Sequence, residues 1–299
     1  MDAGDSRDVR IVDAFTTDSL SGNPAGVVPN ADDLTDDQMR AVASELGASE
    51  TAFVRSAPDA DRALRFFTPS EEIGLCGHAT VATHAHLHAE GAVEAGTHRV
   101  ATANDEVTVE IEADGTVWLT MDAPTVTAVD ADATRVADAL GVEAGHVVSD
   151  LPLAVADAGL PYLVVGLDYL STLNGAVPDD GAVAALCESV DATGLYAFTF
   201  DTLSADAAAH GRAFLPSVGV SEDPVTGTAA GAAAGYLRWA DAYDDWPDEL
   251  VFEQGHALDR PGRVRARLDG AATVGGRAVT SLTGRVAVPP AEEDDIVEA

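Results

Sequence analysis

Apolar residues recur along this chain in short alternating runs, separated by glycine, proline and acidic turns. Period-two alternation bounded by turn residues predicts strands at 10–15, 25–28, 51–54, 63–67, 99–101, 106–112 and 116–121. In the second half it predicts strands at 153–157, 162–165, 194–199, 211–214, 250–254 and 262–268, then closing runs at 272–280 and 284–288. Asp114-Gly115 supplies a hairpin turn between two of the early strands. Helical patterns are fewer. Thr35-Asp36-Asp37-Gln38 has the form of a capping box and opens a helix that runs to about Leu46, with Gly47 as its stop. Residues 130–140 and 179–190 read as short helices, and 168–173 as a turn or a single helical turn. Two further segments, 79–89 and 228–240, are rich in small residues; the first is light in charge and carries no clear polar face, which is the pattern of a buried helix. Gly231 and Gly235 in the second of these imply close packing against neighbouring backbone.

Strands that follow one another mostly through hairpins predict an α+β fold, not a parallel nucleotide-binding sheet. An internal repeat refines this. Arg65-Phe66-Phe67-Thr68-Pro69 has a counterpart in Arg212-Ala213-Phe214-Leu215-Pro216, and each is followed by a glycine turn into one of the two apolar helices. Two copies about half a chain apart predict two pseudo-symmetric lobes. The expected division is 1–124 for the first lobe and 125–288 for the second, with an acidic tail at 289–299 and closing strands free to return to the first lobe.

Composition narrows the chemistry. Hydrophobic residues make up 46% of 299 positions, enough for a packed core in each lobe. The 51 Asp and Glu outnumber 16 basic residues, every one of them arginine. Without lysine there is no Schiff base, which excludes pyridoxal-phosphate and lysine-aldolase chemistry. A net charge of −35 argues against nucleic acid and anionic membrane as partners. An acidic partner-binding face is one reading of that charge. The acids are spread along the chain, which favours the other: a solvated acidic coat, as in proteins of a salt-adapted organism, on a fold that needs salt to screen its self-repulsion. Cys76 and Cys187 do not make a disulfide scaffold. The N-terminus lacks an apolar targeting segment and no apolar run reaches membrane-spanning length, so a cytoplasmic protein is expected. No G-x-G-x-x-G or Walker loop occurs, and no nucleotide cofactor is indicated. His84 and His88 stand at metal-ligand spacing, but with no H-E-x-x-H or C-x-x-C they read as packed or surface histidines, and no metal is expected.

The candidate chemistry sits at the starts of the two apolar helices. If the lobes pack face to face, Gly77 to Ala79 and Gly227 to Ala229 point into one cleft, where free N–H groups and helix dipoles favour a carboxylate. Glu50, His78 and Asp223 could surround it, the equipment for moving a proton on a small acid. Taken singly, each has a plainer reading: Glu50 as a solvated junction carboxylate, His78 as a core histidine, Asp223 and Thr228 as helix caps.

The segments Glu72-Ile73-Gly74-Leu75-Cys76-Gly77-His78-Ala79-Thr80 and Glu222-Asp223-Pro224-Val225-Thr226-Gly227-Thr228-Ala229 resemble the two signatures of the phenazine-biosynthesis isomerase family, the PhzF-like proteins. Asn23-Pro24-Ala25-Gly26-Val27, Ser49-Glu50-Thr51-Ala52-Phe53-Val54, Gln254-Gly255 and Gly275-Gly276-Arg277-Ala278-Val279 are similar to its other motifs, in order along nearly the whole chain. The resemblance implies a fold like diaminopimelate epimerase, with a sheet wrapped around a central helix in each lobe and the site between the lobes. It implies a homodimer and a cofactor-independent isomerase that moves a proton between carbons of a small carboxylic acid, the characterised reaction being isomerisation of dihydrohydroxyanthranilate. Glu50 would be the acid/base, with His78 and Asp223 orienting or sharing protons. Gly77, Gly227, Thr228 and Cys76 would contact substrate. Gly74 stands where Pro is usual, Thr228 where many members have Ser, and Ala230 where His is frequent. The alternatives are an epimerase or racemase on the same fold, for which Cys76 has no second thiol at Thr226, and a catalytically silent metabolite-binding protein.

Overall fold

The computed structural model describes residues 6–291, so the expected tail lies outside the described residues from 292 onward. The architecture is mixed α+β, mostly sheet, in two lobes of the same topology. The first lobe contains β1 (Ser6–Ala14), β2 (Asn23–Val28), α1 (Asp36–Leu46), β3 (Thr51–Arg55), β4 (Arg62–Phe67), the short β5 (Glu72–Ile73), α2 (Gly77–Ala89), β6 (Gly96–Ala101), β7 (Glu106–Ile111) and β8 (Val117–Thr120). A linking strand β9 (Thr125–Ala128) and a helix α3 (Ala133–Leu140) lead to the second set. This runs β10 (Ala154–Asp157), β11 (Pro161–Gly166), α4 (Leu170–Gly175), α5 (Asp180–Glu188), β12 (Gly194–Thr199), β13 (Ala209–Leu215), the short β14 (Val220–Asp223), α6 (Gly227–Trp239), β15 (Leu250–Gln254), β16 (Gly262–Asp269) and β17 (Ala271–Gly276).

The pairing repeats strand for strand. In the first lobe β1–β2 is antiparallel, β2–β3 parallel, β3–β4 antiparallel, β4–β6 parallel, and β6–β7–β8 antiparallel. In the second lobe β10–β11, β11–β12, β12–β13, β13–β15 and β15–β16–β17 follow the same sequence of senses. Each parallel pair is bridged by a helical crossover, as parallel pairing requires. Antiparallel β8–β17 pairing makes the two sheets continuous, and β18 (Ala278–Ala287) leaves the second lobe to pair antiparallel with β1.

Several local expectations are met by their stated physics. Thr35 and Gln38 form the reciprocal capping box at α1, and Gly47 closes the helix in the left-handed region. Helices α2 and α6 lie in the core, with residues 79–87 and 229–237 buried. A Cβ on Gly235 would meet Pro124 at 2.4 Å, so the close packing implied for this helix is real. Cys187 is buried and free, and Asp114-Gly115 turns the β7–β8 hairpin.

Others need correction. Helices α2 and α6 begin at Gly77 and Gly227, ahead of the expected 79 and 228. The first-turn N–H groups have no intrahelical acceptor, and a glycine there leaves no mark in an apolar pattern. The run expected at 272–280 is broken at Arg277, where the chain leaves β17 for β18, and β18 then continues through the interval expected to separate two strands. The short strands β5, β9 and β14 were absent from the sequence reading, being too brief to show a period.

Candidate active site

The first lobe presents three side chains from two elements. Glu50 immediately precedes β3, and Cys76 and His78 sit at the start of α2. Because β2 and β3 run parallel, Gly26 faces Thr51, and a Cβ on Gly26 would meet Thr51 Oγ1 at 2.3 Å. Gly26 N–H donates to the Glu50 carbonyl at 2.9 Å, which fixes the backbone that carries the carboxylate. Glu50 Oε2 lies 3.4 Å from His78 Nε2, their side chains 19% and 11% exposed. Cys76 Sγ lies 3.4 Å from His78 Nδ1 and 4.0 Å from Nε2.

The second lobe contributes a carboxylate and two hydroxyls. Asp223 ends β14, three residues before Thr226, the N-cap position of α6. Asn23 Nδ2 donates to Asp223 Oδ1 at 2.9 Å and to the Val225 carbonyl at 2.9 Å, so a side chain of the first lobe holds the acid of the second. Thr226 Oγ1 donates to Asp223 Oδ2, and Gln254 bridges the Thr226 N–H and the Asp223 carbonyl. Tyr162 OH is 2.8 Å from Thr228 Oγ1. The sequence reading assigned no role to Asn23, Gln254 or Tyr162. Asn23 and Gln254 are polar residues inside the recurring motifs, whereas Tyr162 lies in an apolar strand and carries no signal.

Electrostatics ties the lobes together. Burial pushes the Asp223 carboxyl above its ordinary value, and the nearby Glu50 charge adds to the rise, while His78 and the Thr226 and Asn23 hydrogen bonds pull against it. Burial likewise pushes the Cys76 thiol well up, reinforced by Glu50. Burial raises the Tyr162 phenol too. Asp223, Glu50, His78 and Cys76 therefore share one field, although they come from both halves of the chain.

The helix starts add the anion-binding element. Neither Cys76 nor Thr226 caps its helix with a side-chain hydrogen bond. In α2 the His78 and Ala79 N–H groups face the Cys76 sulfur, in α6 no side chain caps the first turn, and the positive dipole ends of both helices favour an anion. A Cβ on Gly77 would meet only Leu119, at 3.7 Å, whereas one on Gly227 would press on Phe15 Cζ at 3.1 Å.

The duplicated topology makes the division of labour legible. Aligning the two signatures residue by residue puts Ile73 opposite Asp223, Cys76 opposite Thr226 and His78 opposite Thr228. With Arg65 aligned to Arg212, the antiparallel registers Phe53–Arg65 and Ala197–Arg212 put Gly194 opposite Glu50. Each lobe thus brings one carboxylate, from non-equivalent positions. Among the described residues, Glu50, Cys76 and His78 are the group of three that could hold a metal ion, their ligand atoms within 4.8 Å of one another. The helical histidines are otherwise engaged: His84 Nδ1 is 2.8 Å from the Thr80 carbonyl, and His88 Nδ1 is 2.9 Å from that of Val93. An open cavity of about 580 Å³, lined in part by Phe15, Glu253, His256, Arg263 and Arg277, contains none of the candidate residues.

A profile of the phenazine biosynthesis-like PhzC-PhzF proteins matches residues 12–284. The uncharacterized isomerase YfhB of Bacillus subtilis is 35% identical over 277 residues, covering 91% of this chain and 93% of that protein. The uncharacterized isomerase YddE of Escherichia coli K12 is 34% identical over 266 residues, covering 85% and 87%. A solved PhzF-family phenazine biosynthesis protein of Bacillus anthracis superposes with a TM-score of 0.88 at 28% identity, covering 95% of this chain and 100% of the other. A hydroxyproline epimerase of Agrobacterium vitis shares the fold, with a TM-score of 0.60 at 16% identity over 94% and 91% of the two chains. Matched in sequence and in fold along most of its length, the chain belongs to the PhzC-PhzF family of phenazine biosynthesis-like proteins.

Proposed function

We propose that this chain is an isomerase that moves a proton between two carbons of a small carboxylic acid, with Glu50 as the acid/base. The observation that carries the reading is the placement of Glu50 3.4 Å from His78, with both in the electrostatic field of the buried Asp223 from the other half of the chain. The names of the relatives, isomerases in Bacillus and Escherichia, point the same way. The substrate carboxylate docks on the first-turn N–H groups at Gly77 and Gly227, with Thr228 as a hydroxyl donor. Glu50 takes a proton from one carbon, the electron pair shifts along the conjugated system, and a proton is returned at another carbon. His78 orients Glu50 and shares its proton. Asp223, favoured in its protonated form by burial, stands as the second proton-carrying group. Every proton in this scheme is carried by the chain's own side chains, so the scheme calls for no cofactor.

A two-thiol epimerisation fits less well. The position opposite Cys76 is Thr226, whose hydroxyl is committed to Asp223 and is far too weak a base to stand in for a thiolate. We further read the chain as cytoplasmic and its working unit as a homodimer, the latter checked by light scattering of the purified protein.

Calorimetry beside turnover tests the assignment. Glu50→Gln should bind a small carboxylate ligand as the parent does and lose conversion. Tight binding with no turnover by the parent itself, on any acid tried, would make the chain a metabolite-binding protein.

A further inference from the structure

We propose that Glu50, Cys76 and His78 form a three-donor site for a thiophilic divalent cation, Zn²⁺ foremost, and that filling it switches the proton chemistry off. The second half of this statement rests on the function proposed above; the first does not.

The donors are of three kinds and converge. His78 Nε2 lies 3.4 Å from Glu50 Oε2 and 4.0 Å from Cys76 Sγ, and all three ligand atoms fall within 4.8 Å of one another. Zinc bonds of about 2.0–2.3 Å place tetrahedral donors about 3.5 Å apart, so closing on an ion asks for movements of about 1 Å or less. The donors sit on two rigid supports, the start of a buried helix and the first residue before a central strand. Glu50 and His78 keep partial exposure, which gives the ion a path in. Thiolate and imidazole select Zn²⁺ or Co²⁺ over Mg²⁺ and Ca²⁺, which prefer oxygen alone. Cys76 is a free thiol. On binding, its proton passes to solvent and a sulfur–metal bond forms. An ion so held ties up the Glu50 carboxylate and the His78 ring together.

Cobalt is the probe, because its bond to a thiolate produces a charge-transfer absorption that carboxylates do not. This matters on a chain of 51 Asp and Glu, whose surface binds divalent cations weakly through oxygen. Chelator-treated, desalted protein in concentrated NaCl is titrated with Co²⁺. The expected result is a sulfur-to-cobalt band that saturates at one ion per chain and is bleached by Zn²⁺. Cys76→Ser should remove the band, and His78→Gln should weaken binding by more than about 100-fold. Cys187→Ser should leave the band intact. Circular dichroism establishes that each variant is folded. No band in the parent, or a band that survives Cys76→Ser, overturns the site. The switch is read separately, by substrate proton exchange with and without one equivalent of Zn²⁺. Loss of more than nine-tenths of the exchange is expected, and unchanged exchange on the zinc-loaded protein overturns the switch. Absence of exchange in the metal-free parent would count against the isomerase reading and leave the cobalt result standing.

Discussion

Asp223 is the residue at which stability and the proposed proton chemistry should oppose each other. Its carboxyl is raised above the ordinary 3.8 mainly by burial, so the folded chain favours the protonated form. That contribution to stability is complete below 3.8 and is lost as pH climbs through the raised value. Asp223→Asn should therefore raise Tm at neutral pH while slowing turnover by about 10²- to 10⁴-fold, the usual worth of a proton-transfer group. A lower Tm for the variant would mean that the bonds from Asn23 and Thr226 outweigh the burial of the charge. Tyr162→Phe removes only the phenol that meets Thr228, and should raise KM more than it lowers kcat. At this scale the motifs pointed to Glu50, His78 and Asp223, which the fold brings within one electrostatic field. The sequence hid the clamp around Asp223, because Asn23 meets Val225 across 202 residues of chain and no local spacing reports such a contact.

The Arg-x-Phe-x-Pro repeat is explained at the scale of the element. Arg65 clamps Glu72 through Nε and Nη2 at 2.7 and 2.6 Å, and its guanidinium lies 5.2 Å from the Phe67 ring centroid. Arg212 does the same with Glu222 at 2.8 and 2.7 Å and with Phe214 at 5.0 Å. Each clamp folds a short strand back onto its neighbour and so delivers the turn that starts a central helix. The second is more deeply buried, with side chains 8% and 12% exposed against 21% and 29%, and Arg212 also serves the Leu173 and Ala176 carbonyls. Arg212→Ala should cost about 3–5 kcal/mol in urea unfolding, and Arg65→Ala distinctly less. Equal costs would refute the burial argument. Within α2, burial pushes His84 down from 6.5 to about 4. Its neutral form is the folded one, so it stabilises above 6.5 and loses that contribution as pH falls towards about 4, on the order of 3 kcal/mol in all. His84→Leu should flatten the acid limb of the stability curve in that window. An unchanged limb would assign the loss to other groups. The repeat, the capping box and the buried helices were legible because they are local. The break at Arg277 was not, since the apolar run continues through the point where the chain changes lobe.

The whole molecule is one topology used twice and specialised once. The sheet passes from lobe to lobe through β8 and β17, and β18 returns to β1, so the two halves are held by continuous backbone pairing. Asp13 and Arg260 add an ion pair at 2.7 Å between the lobes, with Asp13 1% exposed. No helix among the described residues is long and apolar enough to cross a membrane. The charge of −35 surrounds this frame, and many of the arginines are already engaged in ion pairs. Repulsion over such a surface is screened within about 10 Å at 0.1 M salt and about 3 Å at 1 M. Tm should therefore rise steadily with NaCl into the molar range, and a Tm that does not respond to salt would remove the reading of the acids as a salt-adapted coat. The duplication was legible from two short motifs. The asymmetry between the two halves, Glu50 opposite Gly194 and Asp223 opposite Ile73, needed the strand registers.

The most direct test of the account is solvent proton exchange at carbon. The protein is incubated in deuterated, high-salt buffer with cyclic and amino-substituted carboxylic acids, and deuterium uptake is followed by NMR for the parent and for Glu50→Gln. The account predicts uptake at a carbon of at least one acid in the parent and none in the variant. Uptake that persists in Glu50→Gln would contradict it and move the base elsewhere in the cleft, with Cys76 the next group in reach.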